Sequence, residues 1–193
     1  NLFMPNYRRN YVPGGTYFFT LVTFQRRKHF DTPHKLDLLH SKIRQVQRSK
    51  PFDLLAYCLL PDHIHLLIEL PEEDCNFSIR MREIKRLTTL WMKRETLGNV
   101  DPIWQDKYWE HTIRDEKDLQ THFDYIHYNP IKYGLTETYD SWEWSSFKDY
   151  FDENAKDLVM IDTDRFNKHQ GNFGEQSLNY PEMTPRQGGT IWT

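Results

Sequence analysis

His63 and His65 stand one residue apart in the run Pro61-Asp62-His63-Ile64-His65-Leu66-Leu67-Ile68-Glu69-Leu70. Apolar and polar side chains alternate from His63 to Leu70. That alternation predicts a β-strand with His63, His65, Leu67 and Glu69 on one face. Two imidazoles held side by side on a rigid element can bind one metal ion. Taken alone, they are equally two polar residues on a half-exposed strand. A second group lies further on, where Asp118, His122, Tyr125 and Asn129 follow at helical spacing and share one face. Leu119, Phe123 and Ile126 are left to serve the core. A phenol with an amide one turn later presents a nucleophilic hydroxyl and an amide oxygen to one point. Packed beside the His63 strand, that helix would surround one pocket with two imidazoles, an amide and a phenol. Alone, the same spacing also describes a solvent-facing polar stripe.

The elements that must position these groups are legible in outline. Residues 16–24 are β-branched and aromatic, as in a buried strand. Residues 25–30 read as a basic loop with Arg26, Arg27 and Lys28. Leu36, Leu39, Ile43 and Val46 give residues 33–49 one apolar helical face, which Pro51 closes. A strand over 52–60 then turns at Pro61-Asp62 into the His63 strand. Residues 76 to about 97 form a long basic helix, capped by Asn76 or Ser78 and carrying Arg82, Lys85 and Arg86. Trp109 to Arg114 alternates like a short strand. Asp115 caps a helix expected to run from Glu116 to about Tyr128, where Asn129-Pro130 breaks it. Residues 139–151 are an aromatic segment expected to pack across the core, and the stretch from Gly171 onward reads as a loosely held tail.

The length of 193 residues suits one domain over 1–151 with a partly irregular extension over 152–193. No apolar run approaches the ~20 residues of a membrane span, and the N-terminus lacks a signal-peptide pattern. Cys58 and Cys75 are too few for a disulfide framework, so the expectation is reduced thiols and a cytoplasmic protein without membrane partners. The net charge of −3 hides an asymmetry: residues 1–60 hold 10 basic and 3 acidic side chains. A basic N-terminal third on an acidic chain suits a polyanion, and Arg8 and Arg9 interleaved with Tyr7 and Tyr11 suit phosphate contact and base stacking.

In this combination the sequence resembles the REP-associated tyrosine transposases, a branch of the single-tyrosine HUH endonucleases. The resemblance rests on Tyr7-Arg8-Arg9, Pro13-Gly14-Gly15-Thr16, Leu60-Pro61-Asp62-His63-Ile64-His65, Ile103-Trp104-Gln105, Trp109-Glu110-His111, Ile113-Arg114, Tyr125-Ile126-His127-Tyr128-Asn129-Pro130 and Trp142-Glu143-Trp144-Ser145-Ser146-Phe147. It covers the chain to about residue 151. It implies an α+β fold, an antiparallel β-sheet flanked by α-helices in a ferredoxin-like palm. It implies that His63, His65 and Asn129 bind a divalent metal, Mg²⁺ or Mn²⁺, and that Tyr125 is the nucleophile. The implied activity is nicking and joining of single-stranded DNA at a REP-like hairpin through a 5′-phosphotyrosine, by a monomer. Arg8, Arg9, Arg26, Arg27, Arg82, Lys85 and Arg86 are the candidate DNA contacts. A hairpin-binding protein that does not cleave is the alternative. A histidine-triad hydrolase is excluded by Leu67, which stands where its third His is needed.

Overall fold

The structure is a computed structural model, and it describes residues 9–98, 102–150, 161–164 and 173–175. The elements run β1 (Thr16–Val22), α1 (Pro33–Ser49), β2 (Asp53–Leu59), β3 (His63–Glu69), α2 (Phe77–Glu95), β4 (Trp109–Thr112), α3 (Glu116–Lys132) and a final turn of helix, α4 (Phe147–Tyr150). The four strands form one antiparallel sheet in the order β2-β3-β1-β4. With a helix after β1 and after β3, this is the split β-α-β arrangement of ferredoxin-like folds. The α+β reading is therefore correct.

Alternation along the strands separates two jobs. Tyr17, Phe19 and Leu21 of β1 and Ile64, Leu66 and Ile68 of β3 point to one face. There they meet α1 through Leu39, Ile43 and Val46, and α2 through Phe77, Met81 and Ile84. Each such buried side chain contributes about 1.5–3 kcal/mol of transfer free energy, so this face holds the fold. The opposite face carries Phe18 and Thr20 of β1, His63 and His65 of β3, and Cys58 of β2, under α3. Polar chemistry is thus displaced onto the second face without weakening the first.

Three caps fix where helices begin. Thr32, Asn76 and Asp115 accept from the backbone N–H of Lys35, Ile79 and Asp118 respectively, each contributing about 1 kcal/mol. The segment after α3 covers the exposed edge of β2: Leu59 N–H donates to Trp144 O at 2.8 Å, and the Trp142 indole donates to Leu59 O at 2.9 Å. That covering removes an unpaired strand edge, whereas the aromatic segment was expected to pack across the core.

Two boundaries differ from the sequence reading. β1 stops at Val22, and Phe24–Arg26 form a 3₁₀ turn in which Gln25 and Arg26 adopt positive φ of 55° and 50°. Helix α3 does not stop before Asn129-Pro130 but continues to Lys132. Pro130 falls in the last turn, so its missing N–H removes a single hydrogen bond. The end is closed by Tyr133 N–H to Asn129 O and Leu135 N–H to Pro130 O, around Gly134 at a φ of +64°. The extra turn matters, because it brings Lys132 to the site.

Burial on the second face also sets an acid limit. His127 is fully buried, with Nε2 2.8 Å from Ser146 Oγ, and burial lowers its pKa to about 3. In the unfolded chain the ring titrates near ~6.5, so the unfolded state binds the extra proton between these values. Stability from this group is complete above pH ~6.5 and is lost as pH falls toward 3. At pH 5 the loss is about 2 kcal/mol. Urea midpoints of wild type and His127→Gln from pH 7 to pH 5 check this: the wild type should fall more steeply. Parallel curves would contradict it.

Candidate functional site

The site is built on the second face, where β3, β1 and α3 meet. His63 and His65 are both fully buried, with ring centroids 5.0 Å apart. Each ring is oriented through Nδ1. His63 Nδ1 lies 2.6 Å from Asp62 Oδ1, so it carries the proton and donates to the carboxylate. His65 Nδ1 lies 2.9 Å from Thr20 Oγ1. The one hydroxyl proton of Thr20 goes to Phe173 O at 2.6 Å, so Thr20 accepts from His65 Nδ1–H. With Nδ1 of each ring held in this way, both rings turn Nε2 into the site, an orientation typical of metal-binding histidines.

Helix α3 delivers the rest. The Tyr125 ring lies 5.4 Å from that of His65, and its hydroxyl accepts from Lys132 Nζ at 3.0 Å. Asn129 donates Nδ2–H to Tyr125 O at 2.6 Å, which leaves Oδ1 buried without a hydrogen-bond partner. The expected Tyr125 and Asn129 thus lie on the same helix beside the histidines. His122 belongs to a separate cluster: it stacks on His111 at 4.6 Å, and both rings adjoin Asp118, which also pairs with Arg114. That cluster ties β4 to the start of α3. The polar face of α3 is not a solvent stripe, since Asp118, His122, Tyr125 and Asn129 are all buried.

Sequence reasoning singled out none of the tail residues that reach the site. Phe173 stacks on Tyr125, with centroids 3.7 Å apart and planes within 10°. Glu175 Oε1 lies 3.1 Å from His65 Nε2 and 3.8 Å from His63 Nε2. Its other oxygen accepts from Lys132 at 2.5 Å and from the Tyr133 hydroxyl at 2.8 Å. Gly174 between them has a φ of +76°, and a Cβ there would collide with the Trp109 ring. The expectation of a loosely held tail fails for residues 173–175. Without a periodic apolar face, a single Phe-Gly-Glu gave no signal for docking. Lys132 was missed because the helix was expected to end before it.

The electrostatics follow from crowding. Burial lowers His65 to about 4. Burial also opposes the His63 cation, but Asp62 and Glu175 outweigh it and raise that pKa. Burial raises Tyr125 far above the usual phenol value, and the Glu175 charge adds to this. Burial opposes the Glu175 charge too, but His63 and His65 overcome it and hold the carboxyl well below its usual range. The Glu175 carboxylate therefore stays charged beside the two Nε2 atoms. The ligand atoms of His63, His65 and Glu175 lie within 4.8 Å of one another, close enough for one ion. His63 Nε2 and Asn129 Oδ1, both buried and without a hydrogen-bond partner, fit the same conclusion.

The predicted DNA contacts are dispersed. Arg26 reaches the site, with Nε 3.1 Å from Asp62 Oδ2, Nη1 2.9 Å from Glu175 O and Nη2 3.4 Å from the Tyr133 hydroxyl. Arg27 is exposed beside it. Arg9 is committed to the fold, resting on the Tyr108 ring and 3.5 Å from Glu110. Arg82, Lys85 and Arg86 lie on α2, beyond the other face of the sheet. Arg8 lies outside the described residues.

Comparison with known proteins gives a consistent picture. Residues 4–129 match the family model "Transposase IS200 like". A REP-associated tyrosine transposase of Escherichia coli strain K12 is 42% identical over 144 residues, 75% of this chain and 83% of the relative. A Haemophilus influenzae protein described as a candidate of the same kind is 43% identical over 152 residues, 75% of this chain and 86% of the relative. A solved REP-associated tyrosine transposase bound to a REP hairpin superposes with a TM-score of 0.70 at 36% identity, covering 94% of this chain and all of the other.

Proposed function

The chain belongs to the IS200-like transposase family, and from that premise we propose that it nicks and rejoins single-stranded DNA at the foot of a REP-like hairpin, with Tyr125 as nucleophile. The observation that carries this reading is the Tyr125 hydroxyl, held by Lys132 at 3.0 Å, on a ring beside His65 of the same chain. A phosphodiester bound there would lose its bond to the 3′ oxygen as Tyr125 Oη bonds to phosphorus. The products are a 5′-phosphotyrosine and a free 3′-hydroxyl, and the reverse attack rejoins the strand. The Lys132 ammonium stabilises the phenolate that burial disfavours. The Arg26 guanidinium, fixed by Asp62, offers its remaining N–H groups to a neighbouring phosphate.

His63 Nε2, His65 Nε2 and Asn129 Oδ1 would hold the divalent cation, Mg²⁺ or Mn²⁺, which supplies positive charge at the scissile phosphate when bound. Residues 1–151 form the catalytic unit in this reading, and 152–193 an extension whose residues 173–175 contact the site. The setting is the cytoplasm, in keeping with a DNA substrate and the free Cys58 and Cys75; among the described residues no helix is long and apolar enough to cross a membrane.

Incubation of hairpin DNA carrying a single-stranded foot with Mn²⁺ tests the proposal, with the covalent adduct resolved on a denaturing gel. His63→Ala and His65→Ala should each remove the adduct. Together they should weaken Mn²⁺ binding by calorimetry at least tenfold. Unchanged metal affinity in the double variant would place the ion elsewhere. Binding with no adduct under any divalent ion would favour the non-cleaving reading.

The same site argues for a monomer, because Tyr125 completes the pocket of its own chain. Mixing inactive Tyr125→Phe with inactive His63→Ala should restore nothing. Recovery of cleavage in the mixture would mean that α3 serves a partner's histidines.

A further inference from the structure

Helix α3 ends on a phenol to which the reaction above gives no part. Tyr133 is the C-cap of α3, its backbone N–H held by Asn129 O at 3.0 Å. It follows Tyr125 and Asn129 at intervals of four, so the three share one side of the helix. Its ring lies across the edge of the His63 ring, with centroids 4.9 Å apart. The Tyr133 hydroxyl donates to Glu175 Oε2 at 2.8 Å and accepts from Arg26 Nη2 at 3.4 Å. Lys132 Nζ donates to the same carboxylate oxygen at 2.5 Å and to the Tyr125 hydroxyl at 3.0 Å. The other oxygen, Oε1, faces His65 Nε2 at 3.1 Å and His63 Nε2 at 3.8 Å. One small anion is thus gripped at both oxygens, by imidazoles on one side and by an ammonium and a phenol on the other. Because Lys132 touches both, that anion lies beside the Tyr125 hydroxyl.

A carboxylate and a phosphodiester have the same anionic form, one negative charge shared by two oxygens on one central atom. We infer that Glu175 occupies the seat of the scissile phosphate and that Tyr133 is a catalytic residue, donating a hydrogen bond to one non-bridging oxygen of that phosphate, a role that rests on the proposed nuclease reading. Those oxygens carry the charge of the transition state as Tyr125 Oη bonds to phosphorus and the 3′ oxygen departs. A donor already aimed at them stabilises that charge without reorganising. Tyr133 keeps its proton throughout, since a phenol titrates near ~10 and the donated bond requires no transfer. Arg26, fixed by Asp62 at 3.1 Å, donates into the phenol oxygen and strengthens the bond it gives. Tyr133 is 38% exposed, so a strand can approach it without unpacking the core.

The test is Tyr133→Phe in the full chain carrying Phe173→Ala and Glu175→Ala, where the tail no longer engages the hydroxyl. Adduct formation on hairpin DNA with a single-stranded foot is timed at saturating Mn²⁺. The substitution keeps the ring, so hairpin affinity in EDTA should match that of the parent. The adduct rate should fall about 10²-fold. A stereochemical measurement separates a direct contact from a structural loss. Sulfur is a weak acceptor, so with Tyr133 intact one of the two phosphorothioate diastereomers at the scissile position should react more slowly than the other. Its penalty should shrink severalfold in Tyr133→Phe, while that of the other diastereomer stays the same. Equal adduct rates with and without the hydroxyl overturn the role. So do a slower rate with both sulfur penalties unchanged, and two diastereomers that react alike when Tyr133 is intact. In each of those cases the nuclease reading stands. No adduct from the wild type or the parent on any of these substrates sinks that reading, and this role with it.

Discussion

Tyr125→Phe should bind hairpin DNA as tightly as the wild type and form no covalent adduct. The substitution keeps the ring, and with it the stack on Phe173 and the contact with His65, while deleting one hydroxyl. That hydroxyl is buried with Lys132 beside it, so its removal leaves the fold without a large new cavity. The Lys132 ammonium keeps Glu175 as a partner at 2.5 Å. Stability should change by no more than about 1 kcal/mol. Loss of cleavage should be complete within detection, on the order of 10⁴-fold or more, because no other group can form the phosphotyrosine. An adduct that survives in Tyr125→Phe would falsify the assignment. Peptide mapping would then be directed first to Tyr128 on the same helix and to Tyr133, whose hydroxyl also reaches Glu175.

How much of this was legible in the sequence depends on the range of the interaction. The His63 strand announced itself because a period of two is local, and the strand's one-sided chemistry is written in eight residues. Asp115 as cap and the spacing from Asp118 to Asn129 were equally local, and α3 begins where they require. The end of α3 was misjudged because Pro130 is a strong local signal. The closure that overrides it comes from Tyr133 and Leu135, beyond the break. The basic α2 illustrates a second limit. Composition reported its charge but not its direction, and Lys85 holds backbone carbonyls while Arg86 pairs with Glu83 at 2.8 Å. Arg26 was named only for its charge; its aim at the site depends on two successive positive-φ residues that no propensity predicts. Glu175 is the extreme case. It meets His65 across 110 residues, and nothing around it in the chain marks it as part of a site.

The largest gain of activity should come from that same tail. Phe173 covers the Tyr125 ring, and Glu175 places a carboxylate where an incoming phosphate would meet Lys132 and the histidines. Its charge also opposes ionisation of Tyr125. If DNA reaches the nucleophile only when this contact opens, the competent fraction scales the observed rate. A ring stack and a few charge-assisted hydrogen bonds, partly exposed at Lys132, amount to roughly 1–3 kcal/mol, a suppression of about 5–150-fold. The double variant Phe173→Ala/Glu175→Ala should therefore cleave hairpin DNA roughly 10–100-fold faster than wild type at saturating Mn²⁺. Metal affinity should move the other way. In the closed arrangement Glu175 is an anionic ligand candidate alongside His63 and His65, so its loss weakens Mn²⁺ binding even as cleavage rises. A residue that served only to hold the ion would lower both together, and one that merely packed the surface would change neither. If the double variant cleaves no faster than wild type when Mn²⁺ is saturating, the tail does not guard the nucleophile.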